Sequence, residues 1–295
     1  MGEAGSLGAD AAVAEAAAAP RPAPDGLFED VLCAVDGTPE SLLAVEQAGT
    51  MTHARGKLTV LVVTAHRHEA DRRSPAIGPI ATKAILDRAA EVAERSGVPY
   101  TLEVDPAGPP EQVVLDWARG RSLLVIGAPS TSWFGGMFAG GVAVAAEAAL
   151  SGPMLIARRT PGGLSLTRRL VLASDGMAGS DELVDLGGRL ARAAAAHVVL
   201  LHACGSERPS RSRRLREQAA RLDGALPGGC ELQLEEGAAR TVILERARAL
   251  NASLIVMSSR RLRGLRVVGS VSRRVVHQSH CSVLLVPPES HLSQG

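Results

Sequence analysis

The chain has 295 residues, and at roughly 150 residues per domain it holds enough sequence for two domains, each with its own core. Hydrophobic residues make up 46% and charged residues 21%, which excludes wholesale disorder and collagen-like order, and no apolar run approaches the ~20 residues that span a bilayer, so no transmembrane segment is expected. The net charge of +1 hides opposite halves, with 13 basic and 19 acidic groups in residues 1–160 against 19 arginines, no lysine and 12 acids in residues 161–295. This favours association of the halves with each other, or of the second with an anion, over a dedicated nucleic-acid binder.

Residues 1–27 are rich in Ala, Gly, Pro and acids, lack the charged start and bulky apolar middle of a secretory signal, and are expected to form a disordered tail. An apolar run then ends in Asp-Gly: Val31-Leu32-Cys33-Ala34-Val35-Asp36-Gly37-Thr38. An Ala- and Leu-rich helical stretch follows, then a β-branched run at 58–64, a helix near 80–96, an alternating strand at 100–104, a helix near 110–120 and the apolar run 123–126. A glycine-rich loop, a further helix and a closing strand at 154–157 complete the block. Thr160-Pro161-Gly162-Gly163 opens a short linker at 160–166.

The order then repeats. Leu170-Val171-Leu172-Ala173-Ser174-Asp175-Gly176-Met177 matches the first opening, with a strand at 198–203, a helix near 211–224, strand 231–235, helix 239–251, strand 254–256, an Arg-rich loop, a helix and strand 283–286. The domains are therefore expected at 28–159 and 167–288, with a tail at 289–295. Five strands alternating with four helices, with no wet strand face, predict a five-stranded parallel sheet covered on both sides in each block, and right-handed crossovers make each a doubly wound, Rossmann-like α/β domain. Such a fold binds ligands beyond the carboxyl ends of its strands.

The cysteines Cys33, Cys204, Cys230 and Cys281 are scattered without a C-x-x-C pair, as free thiols in a reducing cytoplasm would be. The six aromatic residues, Phe28, Tyr100, Trp117, Trp133, Phe134 and Phe138, all fall in the first half, which argues against a base-stacking surface. His66 with His68, and His277 with His280 and Cys281, are too few to make a metal site, and none is expected. There is no Walker loop, no G-x-S-x-G elbow and no H-E-x-x-H, and Lys57 and Lys83 are the only lysines, so a binding role is favoured over a catalytic one.

After the fourth strand runs Gly127-Ala128-Pro129-Ser130-Thr131-Ser132-Trp133-Phe134-Gly135-Gly136-Met137-Phe138-Ala139-Gly140-Gly141. Its glycines allow close backbone approach, and the helix opening at Gly140-Gly141 would favour an anion, so the segment reads as a phosphate cradle or as an ordinary strand-to-helix loop. Here the sequence resembles the universal stress protein family in its tandem two-domain form, an adenine-nucleotide alpha hydrolase-like fold. The family's ATP-binding pattern is Gly, two residues, Gly, nine residues, then Gly with Ser or Thr. The first half keeps the spacing in Gly127, Ser130 and Gly140, with Ser130 in place of the second Gly and Gly141 in place of Ser or Thr.

In the second half Met257 is read in the place of Gly127 and Arg260 in that of the second Gly, while Gly269-Ser270-Val271-Ser272 looks like the family's helix start. A Met at a close-approach position is expected to obstruct a nucleotide. The closing segments His280-Cys281-Ser282-Val283-Leu284-Leu285-Val286 and Gly152-Pro153-Met154-Leu155-Ile156 resemble the family's last strand.

The resemblance implies that Asp36 and Asp175 meet or position the ribose end of a nucleotide, and that backbone at Val62, Val63 and Ala203 holds adenine. The alternative for the two aspartates is to cap the helix that follows, as Thr38, Ser41 or Ser180 would equally. Arg260, Arg261, Arg263, Arg266, Arg273 and Arg274 read as a phosphate clamp, as a face for an acidic partner, or as a solvated charged face. Trp133, Phe134, Met137 and Phe138 read as a protein-docking patch or a lid. The resemblance implies a cytoplasmic protein whose halves pack as an internal pseudo-dimer through their last strands, itself open to forming a homodimer, and which binds ATP in a stress response. The alternatives are a degenerate member acting as a protein-interaction scaffold, and a slow nucleotide hydrolase using Asp36 or Asp175 as base.

Overall fold

The structure is a computed structural model that describes residues 26–64, 77–128, 152–204, 209–258 and 271–287. The first half runs β1 (Phe28–Val35), α1 (Pro39–Met51), β2 (Thr52–Val63), α2 (Pro79–Glu94), β3 (Tyr100–Asp105), α3 (Pro110–Ala118), β4 (Leu123–Gly127) and β5 (Met154–Ala157). The second runs β6 (Arg169–Ala173), α4 (Asp181–Ala194), β7 (His197–Cys204), α5 (Pro209–Ala225), β8 (Glu231–Glu236), α6 (Ala239–Ala249), β9 (Leu254–Ser258), α7 (Val271–Gln278) and β10 (Ser282–Val286). The helix expected between β4 and β5, the C-terminal tail and residues 1–25 lie outside the described residues, while Gly26 and Leu27, read as the end of the disordered tail, are ordered, Gly26 buried and Leu27 packed against the core.

Local chemistry sets the helix starts. Prolines stand in the first turn of α1, α2 and α3, where a fixed φ and a missing N–H cost nothing. Thr38 caps α1, its hydroxyl accepting the Ser41 N–H at 3.2 Å. Both Asp-Gly signals mark turns that need a left-handed residue, with Gly37 at φ +83° and Gly176 at φ +66°. The linker read at 160–166 holds a 3-10 turn, Pro161–Gly163, and Leu166 at its end is buried.

The strands form one ten-stranded sheet in the order β3-β2-β1-β4-β5-β10-β9-β6-β7-β8. Within each half the ladders are parallel, and the halves join through the antiparallel pair β5–β10. Leu155 pairs with its repeat counterpart Leu284, and the flanking pairs Met154↔Leu285 and Ile156↔Val283 are exchanged by a local twofold axis through that pair. The last strands thus meet as the sequence led us to expect.

Each face of the sheet carries one hydrophobic cluster that crosses this joint. Leu155, Ala157, Leu284 and Val286 belong to the cluster under α1, α2, α4 and α5, and Met154, Ile156, Val283 and Leu285 to the one under α3, α6 and α7. One element departs from expectation: β2 begins at Thr52, directly after α1, rather than at 58. The Phe28↔Thr52 and Asp30↔Lys57 pairs flank a register shift, and Gly56 sits against the Phe28 and Glu29 carbonyls, where an added Cβ would lie 2.8 Å from the nearer oxygen.

Candidate functional site

In each half the strand order reverses beside the first strand, β1 lying between β2 and β4 and β6 between β7 and β9. Such a reversal leaves a crevice at the carboxyl ends of the strands. Pairing of β1 with β2 stops at Val35↔Val62 while β2 pairs on with β3 to Val63↔Asp105. Likewise β6 and β7 pair to Ala173↔Leu201, and β7 pairs on with β8 to Cys204↔Glu236. Beyond these points the inner edges of β2 and β7 face the crevice, with Val63 and Ala203 on them, while Val62 is the last β2 residue that pairs with β1.

The second crevice is a cleft of about 380 Å³ lined by Ala173, Ser174, Asp175, Leu201, His202, Ala203, Arg211, Ala239, Ile243, Met257, Ser258, Val271 and Ser272. Its floor and one wall are apolar, from the ends of β6, β7 and β9 and the start of α6. Its rim is polar, with Asp175 and Arg211 on one side and Ser258 and Ser272 at the end of β9 and the start of α7. An apolar ring suits the wall, and the Arg211 guanidinium suits an anion.

The register corrects the alignment of the glycine pattern. Gly127 pairs with Ala157, and the matching ladder of the second half ends in Val286↔Ser258, while Met257 pairs with Leu285 and Ala173 as Ile126 does with Ile156 and Ala34. Ser258, not Met257, is therefore the counterpart of Gly127. Met257 is a floor residue with its side chain in the core, so the expected obstruction at the phosphate loop does not arise.

Gly127 is a glycine for a packing reason: an added Cβ would fall 2.3 Å from the Glu40 carbonyl oxygen and 2.7 Å from the Ser41 nitrogen at the start of α1. In the second half the small residue has changed sides. Ser258 keeps its side chain, and its hydroxyl donates at 3.5 Å to the carbonyl of Gly179, which occupies the place of Glu40.

The two aspartates close turns. Asp36 Oδ1 accepts the Thr38 N–H at 3.0 Å and its hydroxyl at 2.6 Å, and Asp175 Oδ1 accepts the Met177 N–H at 2.9 Å. Both stand at the crevice mouth with that oxygen occupied in the turn, and neither caps the helix that follows: Asp36 holds Thr38, which is itself the cap of α1, and Asp175 holds Met177. Ser180 does not cap α4; its hydroxyl donates to Met177 O and belongs to a buried cluster with Ser174 and Gln218.

Of the polar lining residues, the sequence reading placed Asp175 and Ser272 at the site and missed Ser174, His202, Arg211 and Ser258. Ser272 is buried at the cleft, Arg273 is half-buried and Arg274 exposed on α7. Ser130, Gly140, Gly141, Trp133, Phe134, Met137, Phe138, Arg260, Arg261, Arg263, Arg266, Gly269, Ser270, His66 and His68 lie outside the described residues. Among the described residues no group of three His, Cys, Asp or Glu could hold a metal, and no helix is long and apolar enough to cross a membrane. Cys281 is buried, its thiol pushed up to about 11 by burial.

The model of the universal stress protein family matches the chain twice, over residues 27–158 and 167–287. A universal stress protein from Archaeoglobus fulgidus DSM 4304 has a similar structure, with 18% identity over 89% of this chain and 97% of that one at a TM-score of 0.67. The cytoplasmic domain of a prokaryotic cation chloride cotransporter is also similar, with 12% identity over 89% and 98% and a TM-score of 0.55. A universal stress protein solved in complex with cAMP matches 42% of this chain and 98% of its own, with 27% identity and a TM-score of 0.39. No curated protein matches the chain. At these identities the structural likenesses show the fold, which serves more than one function.

Proposed function

We propose, because the chain belongs to the universal stress protein family, that its second half binds an adenine nucleotide, with ATP the expected ligand, and that occupancy regulates its contacts with partners in a stress response. The observation that carries this reading is the cleft at the ends of β6, β7 and β9. It has a ligand-sized volume of about 380 Å³, an apolar wall for a base, and a rim that joins a carboxylate, hydroxyls, an arginine and a helix start. The ligand lies with its base between β7 and α6 and its phosphates toward Ser258, Ser272 and the start of α7.

The same reading makes the protein a binder rather than a catalyst. His202 meets the carbonyl of Ser174, not its hydroxyl, and that hydroxyl is engaged by Ser180 and Gln218, so this Ser and His do not form a nucleophile with its base. The four cysteines, free thiols in the structure, fit a reducing cytoplasm. For the first half, a scaffold role stands beside nucleotide binding, because Gly127 is already required by Glu40.

Calorimetric titration of the full chain with ATP tests the reading. Saturable binding that is lost in Ala239→Trp, which fills the cleft beside α6, is expected. A flat titration at millimolar ATP would overturn it.

A further inference from the structure

The second crevice contains a side chain that the first lacks. By the Asp-Gly repeat and the strand register, Ser174 occupies the place of Val35 and His202 that of Val62. Two apolar positions of the first half, one on each of the paired strands beside the crevice, are both polar in the second.

His202 is only 7% exposed and lines the cleft, and its Nδ1 lies 2.8 Å from the Ser174 carbonyl oxygen. A carbonyl only accepts, so the neutral imidazole carries its proton on Nδ1 and leaves Nε2 as an acceptor. Ser174 is held in place: its hydroxyl donates to Gln218 Oε1 at 2.8 Å, lies 2.9 Å from Ser180 Oγ and accepts the Gly176 N–H at 3.1 Å. Gln218 is fixed in turn, its amide nitrogen donating to Ser180 Oγ at 3.1 Å and to Asp181 Oδ1 at 2.7 Å. Among the described residues the ring makes no hydrogen bond besides that to Ser174, and Nε2 is not one of the fully buried polar atoms that lack a partner, so it is accessible in the cleft that His202 lines.

An acceptor with a fixed tautomer, in a cleft that Leu201, Ala203, Ala239 and Ile243 also line, selects for a flat ligand that carries a donor on its ring edge. We propose that His202 Nε2 accepts a hydrogen bond from the ring amino group of an adenine-type nucleotide, so that the second cleft discriminates against the oxo analogue, in which a carbonyl replaces that amino group. With the oxo ring two acceptors face each other in a dry site, and neither finds a proton. The first crevice, with Val62 at this position, makes no such distinction. This inference rests on the nucleotide reading of the second cleft.

Titration of the full chain with ATP and with ITP, its oxo analogue, tests it in the wild type, in His202→Val, which copies the first half, and in Ala239→Trp, which identifies binding at this cleft. The wild type is expected to bind ATP at least about tenfold more tightly than ITP at the site that Ala239→Trp removes, and His202→Val to bring the two within about twofold. Equal affinities in the wild type would overturn the selection and leave nucleotide binding standing. An unchanged ATP preference in His202→Val would assign it to the backbone instead and overturn the role of His202. No binding of either nucleotide would fail the nucleotide reading itself, and the inference with it. Should His202→Val not fold, nitrogen NMR of the wild-type imidazole decides: ATP is expected to shift the Nε2 resonance and ITP is not, and the same shift with both would overturn the proposal.

Discussion

Gly127 lies directly against the backbone of Glu40, 2.3 Å being all that an added Cβ would have to the Glu40 carbonyl oxygen. Gly127→Ala is therefore expected to lower stability by about 1–3 kcal/mol whether or not a ligand is bound, because the start of α1 must move away. Ser258→Gly, at the equivalent place, is expected to cost less than about 1 kcal/mol, since it removes one weak contact and adds some backbone freedom. Chemical denaturation of both variants checks the asymmetry, and equal losses would contradict it.

Gln47 bridges the halves from inside. Its amide nitrogen donates to the Arg158 carbonyl at 2.7 Å and its oxygen accepts from the Ser282 hydroxyl at 2.8 Å, while the Arg158 N–H donates to Ser282 Oγ at 3.0 Å. All three residues are buried, and Leu186 holds the equivalent place in the second half. Gln47→Leu is expected to destabilise the chain by about 1–3 kcal/mol, as it removes two buried hydrogen bonds at once. A urea titration with no change in midpoint would show that the repacked joint tolerates a leucine on both sides.

Burial, and then Arg248, lower the pKa of His280; burial, and then Arg273 and Arg158, lower that of His277. The unfolded chain titrates its imidazoles near about 6.5, so above that pH neither group affects stability. Below it the unfolded chain takes up protons that the folded chain resists, and stability falls as pH falls. Melting temperatures are expected to decline on acidification through this range. In His280→Leu the decline should be shallower, since both ring nitrogens of His280 are buried without a hydrogen-bond partner.

Asp36→Ala is expected to cost about 1 kcal/mol through the lost turn bonds to Thr38, while Asp36→Asn, which keeps an acceptor oxygen, costs less. Thermal melts of the two variants separate this role from a ligand contact, because the ranking holds without nucleotide.

The fold was legible because strand and helix periods alternate twice and because Asp-Gly fixes where each first strand ends. The start of β2 was not: Thr52-His53-Ala54-Arg55-Gly56 has no apolar alternation, and its pairing depends on Phe28 across a register shift. The glycine pattern misled in one respect. Sequence spacing alone set Gly127 opposite Met257, whereas the β9–β10 ladder sets it opposite Ser258.

His202 was hidden within the apolar run of β7, where a single histidine looks like an ordinary core residue. The signal that marks it is paired: Ser174 for Val35 and His202 for Val62 are adjacent across two strands, and a lone buried polar group would need a partner of this kind. Arg211 was masked by the other arginines of α5.

The antiparallel joint between β5 and β10 has a further consequence. When two identical subunits meet about a twofold axis, every substitution is made on both sides at once, and each must suit two copies of the same surroundings. In one continuous chain that coupling is released. Gln47 can reach across the joint while Leu186 stays apolar, glycine can sit on β4 in one half and ahead of α4 in the other, and histidine can enter one crevice while valine remains in its twin. The shared sheet holds the two crevices at a fixed one-to-one ratio and leaves the lining of each free to diverge.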